Sequence, residues 1–277
     1  MSDKVEMINN SIIQHGKFND RIYLMKTNTK DLPEIIYYLD ELAGEKKYSK
    51  IFVKVPREYN TKFFQYGYKE EAYIPKFYSG YKDVSFLGKF FSENRKIDMS
   101  ENIDQEVIKT ALTKSNESNI GLLGSEYDYR ICNEKDIEAI ARVYSIVFET
   151  YPFPIQDPKY IKDTMEDNVV YFGVFKNNDL VSVSSTEIDF ASQNAEMTDF
   201  ATIPNFRSKG LSGFLLTKME SEMKDRNILT LYTICRSCSY GINIIFSKAG
   251  YKFTGKLVNN TNIAGNLENM NIWYKHI

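Results

Sequence analysis

Asp199-Phe200-Ala201-Thr202-Ile203-Pro204-Asn205-Phe206-Arg207-Ser208-Lys209-Gly210-Leu211-Ser212-Gly213-Phe214-Leu215-Leu216 is the stretch that decides how this chain is read. A strand pattern ends near Thr202, two cations flank small residues, and Leu211, Phe214, Leu215, Met219 and Met223 then recur at helical spacing. The spacing predicts a strand that runs into a helix through a short loop. Consecutive backbone N–H groups at such a helix start attract anions, and Gly210 and Gly213 omit side chains that would keep a pyrophosphate away. Arg207 and Lys209 add positive charge. An ordinary glycine-containing turn would show the same Gly-x-x-Gly, so the surrounding elements must carry the distinction.

Upstream, Asn133 is placed to cap a helix whose Ile137, Ile140, Ala141, Tyr144, Val147 and Phe148 share one face. Tyr151-Pro152-Phe153-Pro154 interrupts it, and a short helix is expected over 158–166. Strand patterns follow over 169–175, 180–188 and 195–202. Downstream of the 211–223 helix come a strand over 228–234, a helix near 242–249, and strands over 252–258 and 269–275. The order α, β-β-β, α, β, α, β-β places the chain in the α/β class, with a mixed sheet rather than a regular βαβ array.

The first third echoes the second half of that order. Strands are expected over 21–26, 51–55, 69–78 and 84–91, with a helix opened by Asp31-Leu32-Pro33. Phe63-Phe64-Gln65-Tyr66-Gly67-Tyr68 and Ile245-Phe246-Ser247-Lys248-Ala249-Gly250-Tyr251 each end a helix in Gly-Tyr before two strands. Glycine is the usual helix terminator, yet the repeated architecture favours a degenerate internal duplication. Polar stretches over 92–105 and 113–118 flank a short helical piece at Val107, Ile108, Ala111 and Leu112. We therefore expect an N-terminal α/β domain over 1–124 and a second domain over 125–277.

Composition narrows the chemistry. Hydrophobic residues make up 43% of the 277 and charged residues 26%, enough apolar content for a sizeable core. A net charge of -2 argues against a nucleic-acid binder. The longest apolar run, 169–175, is far short of the roughly 18 residues a membrane helix needs. The N-terminus has no signal-peptide pattern, so a cytoplasmic protein without a membrane partner is expected. Two histidines, His15 and His276, cannot furnish a zinc site or a Ser-His-Asp triad. Cys235 and Cys238 have CxxC spacing, but Cys132 is the one remaining cysteine, so reduced thiols and no metal are expected. Proton transfer is left to Asp, Glu, Tyr, Cys or Lys.

Arg207-x-x-Gly210-x-Ser212, just after Ile203-Pro204-x-Phe206, resembles the acetyl-CoA-binding signature of the GNAT N-acetyltransferases, Gln/Arg-x-x-Gly-x-Gly/Ala. Ser212 stands where that signature carries Gly or Ala. The resemblance covers roughly 127–277 and implies a mixed-sheet GNAT fold with acetyl-CoA as cosubstrate. It implies cofactor contacts from Arg207, Ser208, Lys209, Gly210, Leu211, Ser212 and Gly213 in the loop, Phe200, Ala201 and Thr202 on the strand, and Asn243 beyond it. The N-terminal domain has no Arg-x-x-Gly loop and reads as a partial GNAT repeat that closes one side of the pocket. Over nearly the whole chain the sequence is similar to one group of that family, the β-lysine N-acetyltransferases. Glu196-Met197-Thr198-Asp199, the Phe-Phe-x-Tyr-Gly-Tyr motif and the asparagine-rich tail from Leu257 to Lys275 carry that similarity. It implies acetylation of a small diamino acid, β-lysine, to the compatible solute N6-acetyl-β-lysine.

An amine of pKa near 10.4 must lose a proton before attacking a thioester. The base is expected on the strand preceding the loop, with Glu196 preferred and Asp199 second, or as an ammonium partner. Strand alternation puts these two on opposite faces, so at most one is expected to reach the site directly. A backbone N–H near Phe200 or Ala201 would meet the developing oxyanion. Many family members carry a tyrosine acid four residues before the last helix-ending glycine, where this chain has Phe246. Tyr240 ranks first as its replacement, ahead of Tyr232, Cys235 and Ser247. Tyr151, Glu268 and Asn269 are the expected substrate-binding residues. Three alternatives stay open: another small amine, a protein amine, or a catalytically silent acyl-CoA-binding module. Pairing of the chain into a homodimer stays open as well.

Overall fold

The computed structural model describes residues 3–115 and 123–277, so residues 116–118 of the second polar stretch lie outside the described residues. Six strands form the first sheet: β1 Lys4–Ile8, β2 Ser11–Gly16, β3 Arg21–Lys26, β4 Lys50–Pro56, β5 Lys69–Tyr78 and β6 Lys82–Phe90. Seven form the second: β7 Asp128–Ile131, β8 Val169–Lys176, β9 Asp179–Asp189, β10 Asn194–Thr202, β11 Thr230–Arg236, β12 Lys252–Ile263 and β13 Asn266–His276. Helices α1 Glu34–Lys46 and α2 Asn60–Phe64 belong to the first half, and α3 Glu93–Lys96 and α4 Glu101–Thr113 lie between the halves. The second half carries α5 Ile137–Val147, α6 Pro158–Asp167, α7 Leu211–Asp225 and α8 Tyr240–Lys248.

The first sheet runs β1-β2-β3-β4-β6-β5 and the second β12-β13-β11-β10-β9-β8-β7. Reading the second from β8 gives β8-β9-β10-β11-β13-β12, the same topology strand for strand. The senses agree too: β3–β4 and β10–β11 are parallel, and every other ladder is antiparallel. The duplication therefore includes β1 and β2, which the sequence patterns did not mark. Charged Lys4 and Glu6 occupy the edge strand β1, a common way of blunting a sheet edge, and they hide its pattern. The four-residue, mostly exposed β7 was missed for a similar reason.

Side-chain alternation assigns the faces. Ala195, Met197 and Leu231 point to a core with Leu211, Leu215, Leu216, Met219 and Met223 of α7 and Phe246 of α8. Burying each such aliphatic side chain contributes about 1.5–3 kcal/mol, which fixes α7 on this face. The opposite face meets α5 and α6 through Tyr144, Ile161, Tyr171 and Val183. Further along that face Tyr232, Leu257, Met270 and Ile272 pack on Tyr23, Phe52, Phe77 and Phe86 of the first sheet. The halves thus share a core. A Cβ on Gly255 would sit 2.2 Å from the Glu71 carbonyl oxygen, so only glycine lets β12 approach β5 this closely.

Polar groups lock that junction. The buried Lys50 Nζ lies 2.8 Å from Glu71 and 2.7 Å from the Val258 carbonyl. Burial pulls the Lys50 ammonium down to about 8, against the pull of Glu71. Asn259 donates to the carbonyls of Arg95 and Ile97, and Asn262 donates to that of Phe18. Asn269 donates to Asp98, Ser100 and Asp104. The asparagines of the tail thus staple the two halves and the segment between them.

Candidate active site

β10 and β11 pair only through Asn194–Thr230, Ala195–Leu231 and Glu196–Tyr232. Beyond this point the strands part. On its other side β10 shifts register against β9 between Thr198 and Ala201, and Asp199 takes φ 55°. This bulge turns Asp199 and Phe200 out of the ladder. A slot therefore opens between 198–202 and 233–236, and its backbone groups are not spent on pairing β10 with β11.

On the face toward the first sheet, a cavity of about 810 Å³ meets the slot. Glu187, Glu196, Asp199, Tyr151 and Tyr232 line it from one half, and Arg21, Tyr23 and Lys54 from the other. Glu196 and Asp199 both reach it, contrary to the expectation from strand alternation. The bulge adds a residue between them and resets the alternation, bringing both carboxylates to one face.

These carboxylates are far from ordinary. The Glu196 carboxyl is pushed up to about 8, first by burial and then by Glu187, its cross-strand partner. Lys54 and a Tyr232 hydrogen bond oppose that rise. Burial also raises Glu187, against Lys54, and raises Asp199 despite its hydrogen bonds. Asp199 accepts from the Tyr151 hydroxyl at 2.5 Å and from Ser185 Oγ at 2.5 Å, so both of its oxygens are engaged. Burial and Asp199 hold the Tyr151 phenol well above its usual value. Glu196 is thus the less committed carboxyl, and Tyr151 is where the sequence put it, on the cavity wall.

The loop on the far side of β10 fits an acyl-CoA. Gly210, at φ 76°, precedes α7, and no side chain caps that helix. Its first N–H groups are left as donors, as a pyrophosphate requires. Nothing lies within 4 Å of a Cβ built on Gly213, so the first turn is open. Arg207 Nε donates to the Thr202 carbonyl at 3.2 Å, and Lys209 lies over the Phe206 ring. Ser212 Oγ is 3.2 Å from Thr202 Oγ1, which lies 2.7 Å from Ser182 Oγ. That chain turns the serine hydroxyl toward β10, which accounts for its tolerance in a glycine position. Leu211 is buried in the α7 core, Phe200 packs edge-on to Phe246, and Ala201 is buried, so what these three and Ser208 offer is backbone.

Four expected side chains are used elsewhere. Asn243 is fully buried; its Oδ1 accepts from Asn271 and Trp273 at 2.9 Å, and its Nδ2 donates to the carbonyls of Arg236 and Ser239. No capacity is left for a cofactor. Glu268 pairs with Arg236 through two bonds of 2.5 and 2.6 Å and does not line the cavity. Asn269 is taken up by Asp98, Ser100 and Asp104, so both tail residues lie outside the pocket expected for them. Tyr240, the first residue of α8, is exposed and away from the cavity lining; the cavity phenol on this half, beside Tyr151, is Tyr232. Phe246 is buried between Phe200 and Tyr251, so that turn offers no hydroxyl. His15 sits between Glu6 and Tyr48, and His276 meets Thr230.

Glu187, Lys54 and Arg21 went unremarked in the sequence. Two of them carry a signal: Glu187 is the one charge in the strand run 180–188, and Lys54 the one charge in 51–55. A lone charge in a buried strand needs a cavity or a partner.

The profile of the acetyltransferase (GNAT) family matches residues 140–241, spanning α5 through the slot to the start of α8. The β-lysine N(6)-acetyltransferase of Methanococcus maripaludis is 44% identical over 99% of this chain and 98% of its own. The β-lysine N(6)-acetyltransferase of Methanosarcina mazei is 36% identical over 87% of this chain and 96% of its own. The N-acetyltransferase YodP of Bacillus subtilis is 31% identical over 96% of each. With a parted strand pair, an open helix start after Arg207-x-x-Gly210 and relatives matched end to end, the chain belongs to the GNAT family and is an acetyltransferase.

Proposed function

We propose that the protein transfers an acetyl group from acetyl-CoA to the terminal amine of β-lysine, with Glu196 as the base. The observation that carries this reading is the Glu196 carboxyl, raised to about 8 where β10 and β11 part. The names of two relatives supply the diamino acid. When bound, acetyl-CoA supplies the activated acyl group; Arg207, Lys209 and the open N–H groups of α7 hold its phosphates. Glu196 takes the proton from the amine, whose nitrogen then forms the new C–N bond as the C–S bond breaks. Glu187 and the cavity walls keep the Glu196 carboxyl basic enough to do so near neutral pH. A backbone N–H of the bulge meets the negative charge that develops on the acyl oxygen. Asp199 holds Tyr151, and Tyr232 and Lys54 steady Glu196 from the other side.

On this reading residues 1–124 form a domain that closes the pocket of a catalytic domain over 125–277. The product is a compatible solute made in the cytoplasm, and the partner is a free small molecule rather than nucleic acid or membrane. No helix among the described residues is long and apolar enough to cross a membrane. CoA release from acetyl-CoA, with β-lysine, lysine, ornithine and spermidine offered separately, tests the proposal. Strong preference for β-lysine is expected; acetyl-CoA binding without turnover of any amine would refute it.

A further inference from the structure

Arg21 opens β3 and is 4% exposed, yet it lines the large cavity. Its Nη1 donates to the Asn260 carbonyl at 2.5 Å and to Thr261 Oγ1 at 3.1 Å. Its Nε is buried with no partner. Among the described residues no carboxylate lies within ion-pair distance of it, whereas the buried Lys50 has Glu71 at 2.8 Å. The rings of Tyr23 and Phe52 lie 5.4 and 5.8 Å from the guanidinium carbon. Burial pulls the guanidinium down to about 10, which is what an interior cation without an anion undergoes. Lys54, two strands' width into the same wall, likewise has no carboxylate in ion-pair distance among the described residues and rests at 3.2 Å from the Tyr232 hydroxyl. The facing wall is acidic, with Glu187, Glu196 and Asp199.

We propose that Arg21, assisted by Lys54, receives the carboxylate of the acceptor, so that the N-terminal sheet selects amino acids over plain diamines. The inference rests on the acetyl transfer proposed above. A guanidinium fork with an unmet N–H is matched by a carboxylate, while the ammonium groups of the same molecule meet the acidic wall. A diamine without a carboxylate leaves the fork unmet and brings excess positive charge to a wall that already holds two cations.

The test compares β-lysine with 1,4-diaminopentane, the same diamine lacking the carboxylate. Lysine with cadaverine and ornithine with putrescine make two further pairs. Wild-type kcat/KM should favour the carboxylate member of each acetylated pair by about 100-fold, as for a site whose buried polar groups go unpaired with the wrong substrate. In Arg21→Met the ratio should collapse to below about tenfold, through a raised KM for the amino acid, while the diamine loses far less. A general folding defect would lower both members alike and leave the ratio intact. Should Arg21→Met fail to fold, because it also loses the bonds to Asn260 and Thr261, the wild-type ratio together with Lys54→Met decides, with a drop of about tenfold expected. Equal wild-type use of both members, or an unchanged ratio in the variants, overturns the role of Arg21 while acetyl transfer stands. Failure to acetylate any member overturns the proposed function itself.

Discussion

Replacing Glu196 by Gln separates the base from every other contributor, because amide and carboxyl have nearly the same shape. With its carboxyl at about 8, Glu196 is ionised in roughly one molecule in ten at pH 7 and nine in ten at pH 9. Wild-type kcat/KM should therefore climb about tenfold over that interval and bend near pH 8. Without the base, reaction depends on the fraction of amine already neutral, so the E196Q profile should climb without a bend toward the amine's own value of about 10.4. At pH 7 the variant should be slower by roughly 10²–10⁴, and the gap should narrow as pH rises. Stability should move the other way. The folded carboxyl binds its proton more tightly than the model value of 4.5, so its favourable contribution is complete below that value and is lost as pH rises through about 8. Discounted for contact with cavity water, the loss is on the order of 3 kcal/mol. E196Q should then melt at a higher temperature than the wild type at pH 9 and nearly together with it at pH 4.5. The assay is a thiol-reactive measurement of CoA release across pH 6.5–10, paired with thermal melts; the range brackets the two values above. An E196Q enzyme within threefold of wild type that keeps the bend near 8 would show that another group takes the proton.

Tyr151→Phe removes the 2.5 Å bond to Asp199 and leaves a buried carboxylate oxygen less satisfied; kcat should fall about tenfold with acetyl-CoA affinity intact, measured by steady-state kinetics. Gly255→Ala sets a Cβ 2.2 Å from the Glu71 carbonyl oxygen, so the sheets must move apart; a loss of about 2 kcal/mol or more in denaturant melts is expected, and unchanged stability would place the junction wrongly. Asn243→Leu strips acceptors from Asn271 and Trp273 and donors from two carbonyls, and should cost about 3 kcal/mol in the same melts. If instead it raised the KM for acetyl-CoA at unchanged stability, Asn243 would be a cofactor ligand after all.

The strands and helices of the second half were legible because each buries one regular face: Leu211, Leu215 and Met219 declare α7, and alternating Ala195 and Met197 declare β10. The bulge was not, because period-two reasoning has no term for an inserted residue, and nothing in Thr198-Asp199-Phe200 announces φ 55° at Asp199. That one angle decides whether one carboxylate or two face the substrate. Glu268 and Asn269 were misplaced for a different reason: their hydrogen-bond partners, Arg236, Asp98 and Asp104, are distant in the chain, and composition cannot tell a pocket wall from a staple. The cations of the cavity were hidden likewise, since they come from the half with no cofactor loop.

The shared topology explains why the catalytic slot exists once. β3 and β4 stay paired from Arg21–Lys50 through Leu24–Val53 with no register shift between them, whereas β10 and β11 part after three pairs. After β3 the chain runs Thr27-Asn28-Thr29-Lys30-Asp31-Leu32-Pro33 into α1, and Asn28 spends its side chain on the Lys30 N–H. Proline supplies no N–H at that helix start, and two cations over a glycine, as at Arg207-Ser208-Lys209-Gly210, are absent. A pair of strands that never parts and a helix start with fewer donors cannot seat a pantetheine arm and its phosphates. Freed from that duty, the same sheet face could turn Arg21 and Lys54 toward its neighbour. A large junction core and the asparagine staples then matter directly to selectivity, since any loosening that withdraws Arg21 from the cavity changes which amine is read before it changes whether acetyl transfer occurs.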